Sequence, residues 1–289
     1  MSTSPLILDG RACSRQVRAE LALRVQALRD RGIVPSLRIL LAGDFAPSQV
    51  YVRNKERAGQ EVGIDVTVLR ARADVTQDEL RRRVDEWNQD PTVHGIVLQL
   101  PLPSGLDEAG LLASLRPDKD ADGLSPESLG RLMAGRPFLT PATPSGIVEL
   151  LRRNRITIAG RRVVIVGRGN LVGKPLANML LLRGAGGDAT VTVCHSATTD
   201  LAATCRSAEI LVVAVGRPGL VKGNMVSDGV VVVDAGTNSV DGKLIGDVDY
   251  ATVAPKAAAI TPVPGGVGPM TVAMLLANVV KAAERAAGR

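Results

Sequence analysis

The stretch Arg162–Pro175, RVVIVGRGNLVGKP, decides the fold because it combines a buried strand, a glycine turn and the start of a helix. The β-branched run Val163–Val166 is too short for a helix, and its unbroken apolar character is typical of a strand covered on both faces. Gly167 and Gly169 follow, and glycine lets the backbone approach a phosphate group without a Cβ in the way. Gly173 stands one residue later than in the common G-x-G-x-x-G spacing, so the turn alone is as often structural as functional. The stretch predicts a Rossmann-like α/β domain.

The next predicted strand, Ala189–Cys194, bears on the choice of cofactor. A dinucleotide fold usually places an acid after this strand, where it binds the ribose 2′-hydroxyl. This chain has His195 and Ser196 there, and Arg168 is available for a 2′-phosphate. The pattern favours NADP over NAD. Asp200, further along, is the residue that could overturn this preference.

The composition limits the class of protein. The chain has 289 residues, 45% of them hydrophobic and 22% charged, which suits a globular protein with two domains. Only 2% are aromatic, so there is no stacking platform for single-stranded nucleic acid and no nucleic-acid partner is expected. The net charge of +6 is explained either by an anionic small substrate or by an ordinary basic surface.

Cysteine and histidine usage argues against disulfides and metal. The chain has three cysteines, none in a C-x-x-C pair, and two histidines. This predicts neither a disulfide framework nor a metal site. The apolar runs are too short for a signal peptide or a membrane span, so we expect a cytoplasmic protein without a membrane partner.

The rest of the chain alternates strand and helix patterns, which predicts a second, parallel α/β unit before the glycine turn. Its predicted strands are Ser36–Leu41, Ile64–Leu69 and Val93–Leu98. The segment Pro101–Pro144 is dense in proline and glycine, and we interpret it as the interdomain region. A strong helix is predicted over Pro269–Ala287.

Polar residues in the first unit could carry chemistry. Tyr51 and Lys55 are four residues apart on a predicted helix and share a face, although by themselves they are more typical of a surface pair. Gln99 follows a buried strand, where ligands of open α/β sheets bind. The alternating acids of the segment Asp118–Asp122 suggest a calcium loop, but position twelve is Leu129 instead of glutamate, so this interpretation is rejected.

A stiff loop precedes the last helix. The segment Thr261–Thr271, TPVPGGVGPMT, holds three prolines and three glycines ahead of a helix N-terminus. A plain connector rarely needs such constraint, so the segment is a further candidate for ligand binding.

Six motifs together resemble the bifunctional methylenetetrahydrofolate dehydrogenase/cyclohydrolase family, in the family's order and over nearly the whole chain. They are SQVYVRNK (Ser48–Lys55), LQLPLP (Leu98–Pro103), DKDADG (Asp118–Gly123), GRGNLVGKP (Gly167–Pro175), VTVCHSAT (Val191–Thr198) and TPVPGGVGPMT.

The resemblance implies a fold and two activities. We expect two α/β domains with a cleft between them: a folate-binding catalytic domain of residues 1–140 plus 269–289, and an NADP-binding Rossmann domain of residues 141–268. The expected reactions are oxidation of 5,10-methylenetetrahydrofolate with NADP and hydrolysis of the methenyl product to 10-formyltetrahydrofolate. The resemblance also implies a homodimer built through the cofactor domain.

The resemblance also implies roles for individual residues. Lys55 would be the central catalytic residue, tuned by Gln99, while Tyr51 would stack on the folate and Asp122 would hold the pterin ring. The remaining residues would line the folate site or contact NADP. The folate set is Pro264, Gly265 and Gly266, and the NADP set is Gly167, Arg168, Gly169, His195, Ser196 and Thr237.

Two positions depart from the family pattern. The family commonly has serine where this chain has Gly169, which removes a hydroxyl that could bind the 2′-phosphate. It commonly has cysteine where this chain has Ala142. Neither departure touches Tyr51, Lys55, Gln99 or Asp122, so both activities are expected. How strictly NADP is preferred over NAD, and what the insertion Gly184–Asp188 contacts, remain open.

The chemistry suggests a protonation state for Lys55. Hydride loss leaves a cation on the substrate, and a charged ammonium beside it would oppose that step. A desolvated lysine loses its proton more readily, so we hypothesise that Lys55 is neutral for part of the cycle and then activates the hydrolytic water.

Two other classes of protein stay open at this point. A different NADP-dependent oxidoreductase acting on a small acid would share the glycine turn, but it would not need Tyr51, Lys55 and Gln99 together. A non-catalytic folate- or nucleotide-binding protein would bind ligand without reducing the cofactor.

Overall fold

The computed structural model describes residues 4–184 and 186–288, which form two compact units. One unit, here the three-stranded unit, comprises residues 15–142 and 272–289. The other, the six-stranded unit, comprises the chain before Arg15 and residues 143–271. Ala185, within the glycine-rich insertion, lies outside the described residues.

The chain alternates helices and strands as expected for an α/β protein. The helices are α1 (Gly10–Arg29), α2 (Ala46–Glu61), α3 (Gln77–Gln89), α4 (Glu108–Ala113), α5 (Pro126–Met133), α6 (Ala142–Arg153), α7 (Gly173–Leu180), α8 (Leu201–Arg206), α9 (Tyr250–Val253) and α10 (Val267–Ala287). The strands are β1 (Leu6–Ile7), β2 (Ser36–Ala42), β3 (Asp65–Ala71), β4 (Gly95–Leu98), β5 (Arg162–Val166), β6 (Thr190–Cys194), β7 (Ile210–Val213), β8 (Val231–Asp234), β9 (Asn238–Val240), β10 (Lys243–Ile245) and β11 (Ala259–Ile260).

The three-stranded unit is built on a parallel sheet in the order β3-β2-β4. The central strand β2 is an almost unbroken apolar run, and Leu37, Ile39 and Leu40 have no exposed surface. Continuous apolar strands of this kind require cover on both faces, which helices supply. The carboxyl ends of β2 and β4 therefore meet at one edge, where polar side chains can gather.

The six-stranded unit has a parallel sheet in the order β1-β11-β8-β7-β5-β6. From β5 the chain first adds β6 on one side and then β7 and β8 on the other. The direction of winding thus reverses at β5, and the carboxyl edge of β5 and β7 is the topological switch point at which such sheets bind ligands. A short antiparallel hairpin, β9–β10, follows β8.

The N-terminal segment differs from the sequence expectation, which gave the whole of residues 1–140 to the folate domain. Leu6 and Ile7 pair with Ala259 and Ile260, so β1 extends the six-stranded sheet. A two-residue strand carries almost no periodic signal, and its partner lies at the far end of the chain. The structure therefore groups the chain before Arg15 with the six-stranded unit.

The proline- and glycine-rich segment Pro101–Pro144 contains more helix than its composition suggests. Asp107 caps α4 by accepting from the backbone N–H of Gly110, and Ser125 caps α5 by accepting from that of Ser128. Such caps are local signals, but these helices are only six and eight residues long, too short for a clear periodic pattern.

One helix in the described part of the chain, α10, is long and apolar enough by length and composition to cross a membrane. Its apolar window is 56% buried inside the protein. Leu275, Leu276 and Val279 have no exposed surface. Core helices have the same composition, so burial within the fold accounts for this one.

Candidate active site

Lys55 is a buried lysine on α2 of the three-stranded unit. Its residue is 8% exposed, although the helix around it carries charged side chains typical of a surface helix. Tyr51, one turn earlier, is 41% exposed. The two side chains share a helix face, as the four-residue spacing predicted. Because Lys55 is buried, Tyr51 and Lys55 are not an ordinary surface pair.

Gln99 gives Lys55 its first polar partner. It follows β4, and its backbone N–H donates to the carbonyl of Leu40 at 2.8 Å. The Lys55 Nζ donates to its Oε1 at 3.2 Å. The Gln99 Nε2 donates to the Leu100 carbonyl at 2.9 Å, which fixes the amide so that its oxygen faces the lysine. Gln99 therefore positions the ammonium group.

Asp122 gives Lys55 a second, charged partner, with 3.5 Å between Nζ and Oδ2. The backbone around Asp122 is held on both sides. Ala121 donates to the Ile96 carbonyl at 3.2 Å, and Ala142 donates to the Asp122 carbonyl at 3.1 Å. The structure thus brings together three of the four residues expected to be catalytic.

Burial raises the pKa of the Asp122 carboxyl, because the charged form loses hydration. The Lys55 ammonium opposes this rise in pKa, and the carboxylate of Asp120 adds to it. Asp122 therefore takes up a proton at a higher pH than an ordinary aspartate.

The other acids of the DKDADG segment have structural partners. Asp120 is fully buried and accepts from the backbone N–H groups of Gly123 at 3.0 Å and Ser125 at 2.8 Å. Asp118 pairs with Arg116 at 2.7 Å. Among the described residues, no group of three or more His, Cys, Asp or Glu side chains could hold a metal ion.

Sequence reasoning missed Asn278, a buried residue of α10 that supports the Asp122 segment. Its Nδ2 donates to the carbonyl of Ala121 at 2.9 Å and to that of Thr140 at 2.8 Å. The available signal was a polar residue within the apolar run of the last helix. Such a residue must find partners when buried, but the sequence does not reveal which.

In the six-stranded unit, the glycine turn after β5 is packed against the next loop of the sheet. Gly167 is buried with a φ of +127°, and a Cβ on it would lie 2.1 Å from the Ala214 carbonyl oxygen. A Cβ on Gly173 would lie 2.0 Å from the Gly167 oxygen. Gly173 thus permits close packing of helix and strand despite its displaced spacing. Gly169 is exposed and has no atom within 4 Å of an added Cβ.

The end of β6 carries no acid, as the sequence indicated. Ser196 is exposed and His195 partly buried; the His195 backbone N–H donates to the Thr198 hydroxyl at 2.8 Å. Asp200 instead caps α8, where its Oδ1 accepts from the backbone N–H of Ala203 at 2.9 Å. The Asp200 carboxylate, which could have bound the ribose 2′-hydroxyl of NAD, is therefore occupied in a helix cap.

Two further sets of predicted residues lie at carboxyl ends of strands in the six-stranded unit. Thr237 follows β8 and is exposed. The set Pro264–Gly266 follows β11, and the Gly265 carbonyl accepts from the backbone N–H of Arg11 at 3.1 Å.

The residues of this edge fit a dinucleotide phosphate. Helix α7 begins directly after the turn, but its first turn offers few free amides, because the Lys174 N–H donates to the Gly169 carbonyl at 3.2 Å and Pro175 has no N–H. A phosphate would therefore approach the exposed turn residues Gly169 and Asn170. Arg168 is exposed beside them. This backbone cradle with its arginine suits NADP, which carries an additional phosphate.

A parallel sheet with this turn at its switch point, together with a buried lysine between an amide and a carboxylate, defines a nicotinamide-dependent oxidoreductase with a second site for proton transfer. The family model described as "Tetrahydrofolate dehydrogenase/cyclohydrolase, catalytic domain" matches residues 8–122. The model described as "Tetrahydrofolate dehydrogenase/cyclohydrolase, NAD(P)-binding domain" matches residues 141–287. The chain belongs to the tetrahydrofolate dehydrogenase/cyclohydrolase family.

Individual relatives agree with this membership. The chain is 52% identical over 277 residues to a bifunctional protein FolD from Desulfovibrio desulfuricans, covering 96% of this chain and 97% of the relative. A crystal structure of the bifunctional dehydrogenase/cyclohydrolase from Campylobacter jejuni has a TM-score of 0.93 and 44% identity, covering 98% and 99%. The enzyme from Trypanosoma brucei, solved with NADP and an inhibitor, has a TM-score of 0.93 and 40% identity, covering 99% and 100%. The resemblance, the enzyme class and the cofactor expected from the sequence are confirmed.

Proposed function

We propose that the chain oxidises 5,10-methylenetetrahydrofolate to 5,10-methenyltetrahydrofolate with NADP, and hydrolyses the methenyl compound to 10-formyltetrahydrofolate. The observation that carries the proposal is the contact of buried Lys55 with buried Gln99 and partly buried Asp122, in a chain with a dinucleotide turn at Gly167. When bound, NADP accepts a hydride from the substrate; this redox chemistry belongs to the cofactor.

Lys55 acts on the water in the hydrolytic step. As water attacks the methenyl carbon, a C–O bond forms and the Lys55 amine takes the proton that the water releases. The lysine then returns this proton to the ring nitrogen as the C–N bond breaks, and the remaining hydroxyl proton leaves when the formyl group forms. The step needs an unprotonated amine next to a positive substrate.

Gln99 fixes the direction of the Lys55 amine, and Asp122 places a carboxylate next to it. The Gln99 oxygen at 3.2 Å orients Nζ, and the Asp122 carboxylate at 3.5 Å balances its charge when protonated. Asp122 also offers acceptor oxygens to the N–H groups of a pterin ring. The exposed ring of Tyr51 supplies a surface on which folate can stack.

The other predicted residues complete the two binding sites. Pro264, Gly265 and Gly266 present a stiff backbone to the folate. Gly167 and Gly169 let the pyrophosphate approach the turn, and Arg168, His195 and Ser196 surround the 2′-phosphate. Thr237 contacts the cofactor from the end of β8.

The proposal extends to assembly and cellular place. The resemblance to the family supports a homodimer formed through the six-stranded unit, and the large apolar side chains exposed on this unit are candidates for its interface. They are Leu171, Leu181, Val240, Leu244, Ile245 and Tyr250. We place the enzyme in the cytoplasm, where its formyl product would serve purine biosynthesis.

Replacing the lysine tests the proposal. Lys55→Met keeps the length of the side chain but removes the amine, so cyclohydrolase activity should be lost while folate binding is largely retained. Hydrolysis is followed by the loss of methenyl absorbance, and binding by titration calorimetry. Lys243→Met, at an exposed position on β10, is the matched control and should hydrolyse at the wild-type rate.

Parallel assays of wild-type protein with NADP and NAD complete this experiment. Reduction of NADP without lasting accumulation of the methenyl compound is the expected result. Hydrolysis that survives in Lys55→Met would show that another group activates the water.

A further inference from the structure

Asp247 is a fully buried carboxylate of the six-stranded unit with four hydrogen-bond donors around it. Its Oδ2 accepts from the backbone N–H of Val215 at 2.6 Å and of Gly216 at 3.0 Å. Its Oδ1 accepts from the backbone N–H of Arg217 at 2.8 Å and from Nδ2 of Asn238 at 2.8 Å. An ionised carboxylate has about four acceptor positions, so its capacity is fully used.

The three backbone donors belong to the loop after β7, which lies against the glycine turn. Ala214 donates to the carbonyl of Val166 at 2.8 Å, and its own carbonyl oxygen occupies the space that a Cβ on Gly167 would need. The fourth donor, Asn238, begins β9 directly after Thr237. Asp247 thus ties the loop after β7 to the loop after β8, both at the carboxyl edge of the sheet.

The surrounding backbone is shaped to admit this carboxylate. A Cβ on Gly236 would lie 2.4 Å from the Cγ of Asp247. The backbone N–H of Asp247 in turn donates to Oδ1 of Asp234 at 3.0 Å, and a Cβ on Gly246 would lie 1.9 Å from Oδ2 of that aspartate. The two buried aspartates and the two glycines form one packed arrangement that no larger residue at 236 or 246 would fit.

We propose that Asp247 is a positioning residue for NADP, which holds the loops after β7 and β8 in the shape that receives the nicotinamide half of the cofactor. The inference rests on the proposed function. In a dinucleotide fold the adenosine half lies over the glycine turn and the following strand, here β6, and the other half extends across the switch point. The strands beyond the switch point are β7 and β8. Asp247 acts through the loops and does not itself contact the cofactor.

The mechanism is preorganisation. Three consecutive backbone N–H groups directed at one carboxylate fix the loop Val215–Arg217 before the cofactor arrives, so binding does not have to order it. In Asp247→Asn, one oxygen becomes an NH₂ group, which then faces two donors instead of accepting from them. The loop must shift, and the lost bonds are of the stronger kind that a charged acceptor makes.

The bifunctional enzyme supplies an internal control for the test. Dehydrogenase turnover depends on NADP, whereas hydrolysis of added methenyltetrahydrofolate requires no NADP turnover. In Asp247→Asn we expect KM for NADP and Kd for NADPH, measured by nucleotide fluorescence, to rise about tenfold or more. Cyclohydrolase kcat and KM should stay within about twofold of the wild type. The matched control is Asp228→Asn, at an exposed position of the same unit, which should change none of these values.

The outcomes separate the inference from the proposed function. An unchanged Kd for NADPH in folded Asp247→Asn, or a parallel loss of both activities, overturns the positioning role. Wild-type protein that binds NADPH but does not oxidise 5,10-methylenetetrahydrofolate contradicts the proposed function instead, and the NADPH titration still tests the inference. If Asp247→Asn does not fold, Asn238→Ala removes one donor to Asp247 and leaves its three hydrogen bonds from backbone N–H groups. A Kd for NADPH equal to that of the wild type in this variant would overturn the positioning role of Asp247.

Discussion

At the scale of single residues, Asp234 shows how burial controls a charge within the six-stranded unit. It is 4% exposed, and burial raises the pKa of its carboxyl to about 6. Backbone N–H groups of Val248, Asp247 and Gly236 donate to it and oppose the rise, whereas the charge of Asp247 adds to it. The folded state therefore holds a proton at Asp234 more tightly than the unfolded chain, whose reference pKa is 3.8.

This raised pKa predicts how stability depends on pH. The contribution of Asp234 to the free energy of unfolding is fully present below pH 3.8 and is lost as the pH rises through about 6. The loss amounts to about 3 kcal/mol at most. Asp234→Asn does not titrate, so the wild type should lose free energy of unfolding relative to this variant between pH 4.5 and 7.5. Chemical denaturation at several pH values measures the difference.

Comparing the two proteins at each pH cancels the contributions of the other acids. Among these is Glu209, whose pKa is lowered mainly by the backbone N–H of Arg162. A difference in stability that does not change with pH, or that changes with the opposite sign, would contradict the assignment to Asp234.

The residues that sequence reasoning found and those it missed differ in their partners. Lys55 and Gln99 belong to recognisable motifs, and only the resemblance to a family gave them roles. Asp247 and Asn278 bind mainly backbone groups, in loops 30 or more residues away along the chain. Backbone groups are present at every position, so the sequence holds no sign of which ones a buried polar side chain will meet.

At the scale of elements, α10 supplies the support for Asp122 through Asn278. Asn278→Leu would remove the hydrogen bonds to the carbonyls of Ala121 and Thr140, at a cost of about 1–3 kcal/mol in free energy of unfolding for the buried Ala121 carbonyl. The Asp122 carboxylate would then shift relative to Lys55. Since a displacement of about 1 Å can cost a factor of about 100 in rate, we expect both activities to fall at least about tenfold. Steady-state kinetics of each reaction measures this.

A control on the same helix distinguishes this effect from a general weakening of α10. Arg285 is exposed and lies 4.3 Å from the centroid of the Phe138 ring. Arg285→Met should keep both activities within about twofold. If Asn278→Leu loses stability but keeps its kinetic constants, the asparagine supports only the fold.

Helices and strands with a strong local sequence pattern were predicted, and those with a weak pattern were missed. The β5 strand has an unbroken β-branched run and the final helix a long apolar pattern, and the structure places them at Arg162–Val166 and Val267–Ala287. Helices α4 and α5 were missed within a proline-rich segment because they have only six and eight residues. The hairpin β9–β10 was missed because its strands have three residues each and lie at the surface.

At the scale of the whole molecule, the proposed homodimer predicts that the six-stranded unit carries the interface between the subunits. Sedimentation equilibrium should give twice the 30.2 kDa of one chain. Leu181→Lys, at a side chain 60% exposed, should weaken the dimer because it buries a charge. Met133→Lys, at a side chain 78% exposed on the three-stranded unit, is the control and should remain dimeric. A monomeric wild type at micromolar concentration would contradict the assembly.

The pairing of β1 with β11 has a consequence for biosynthesis. Leu6 leaves the ribosome early, but its strand partner Ala259 is translated near the end of the chain. The carbonyl of Ala121 accepts a hydrogen bond from the side chain of Asn278, which is translated 157 residues later. Domains generally fold in the order in which they are translated. Here both units need the C-terminal part of the chain, so neither can close its core until translation is nearly finished. The three-stranded sheet is complete by Leu98 but lacks α10, and the six-stranded sheet lacks β11, until late in synthesis. We therefore expect apolar surface to stay uncovered on the nascent polypeptide through most of its synthesis.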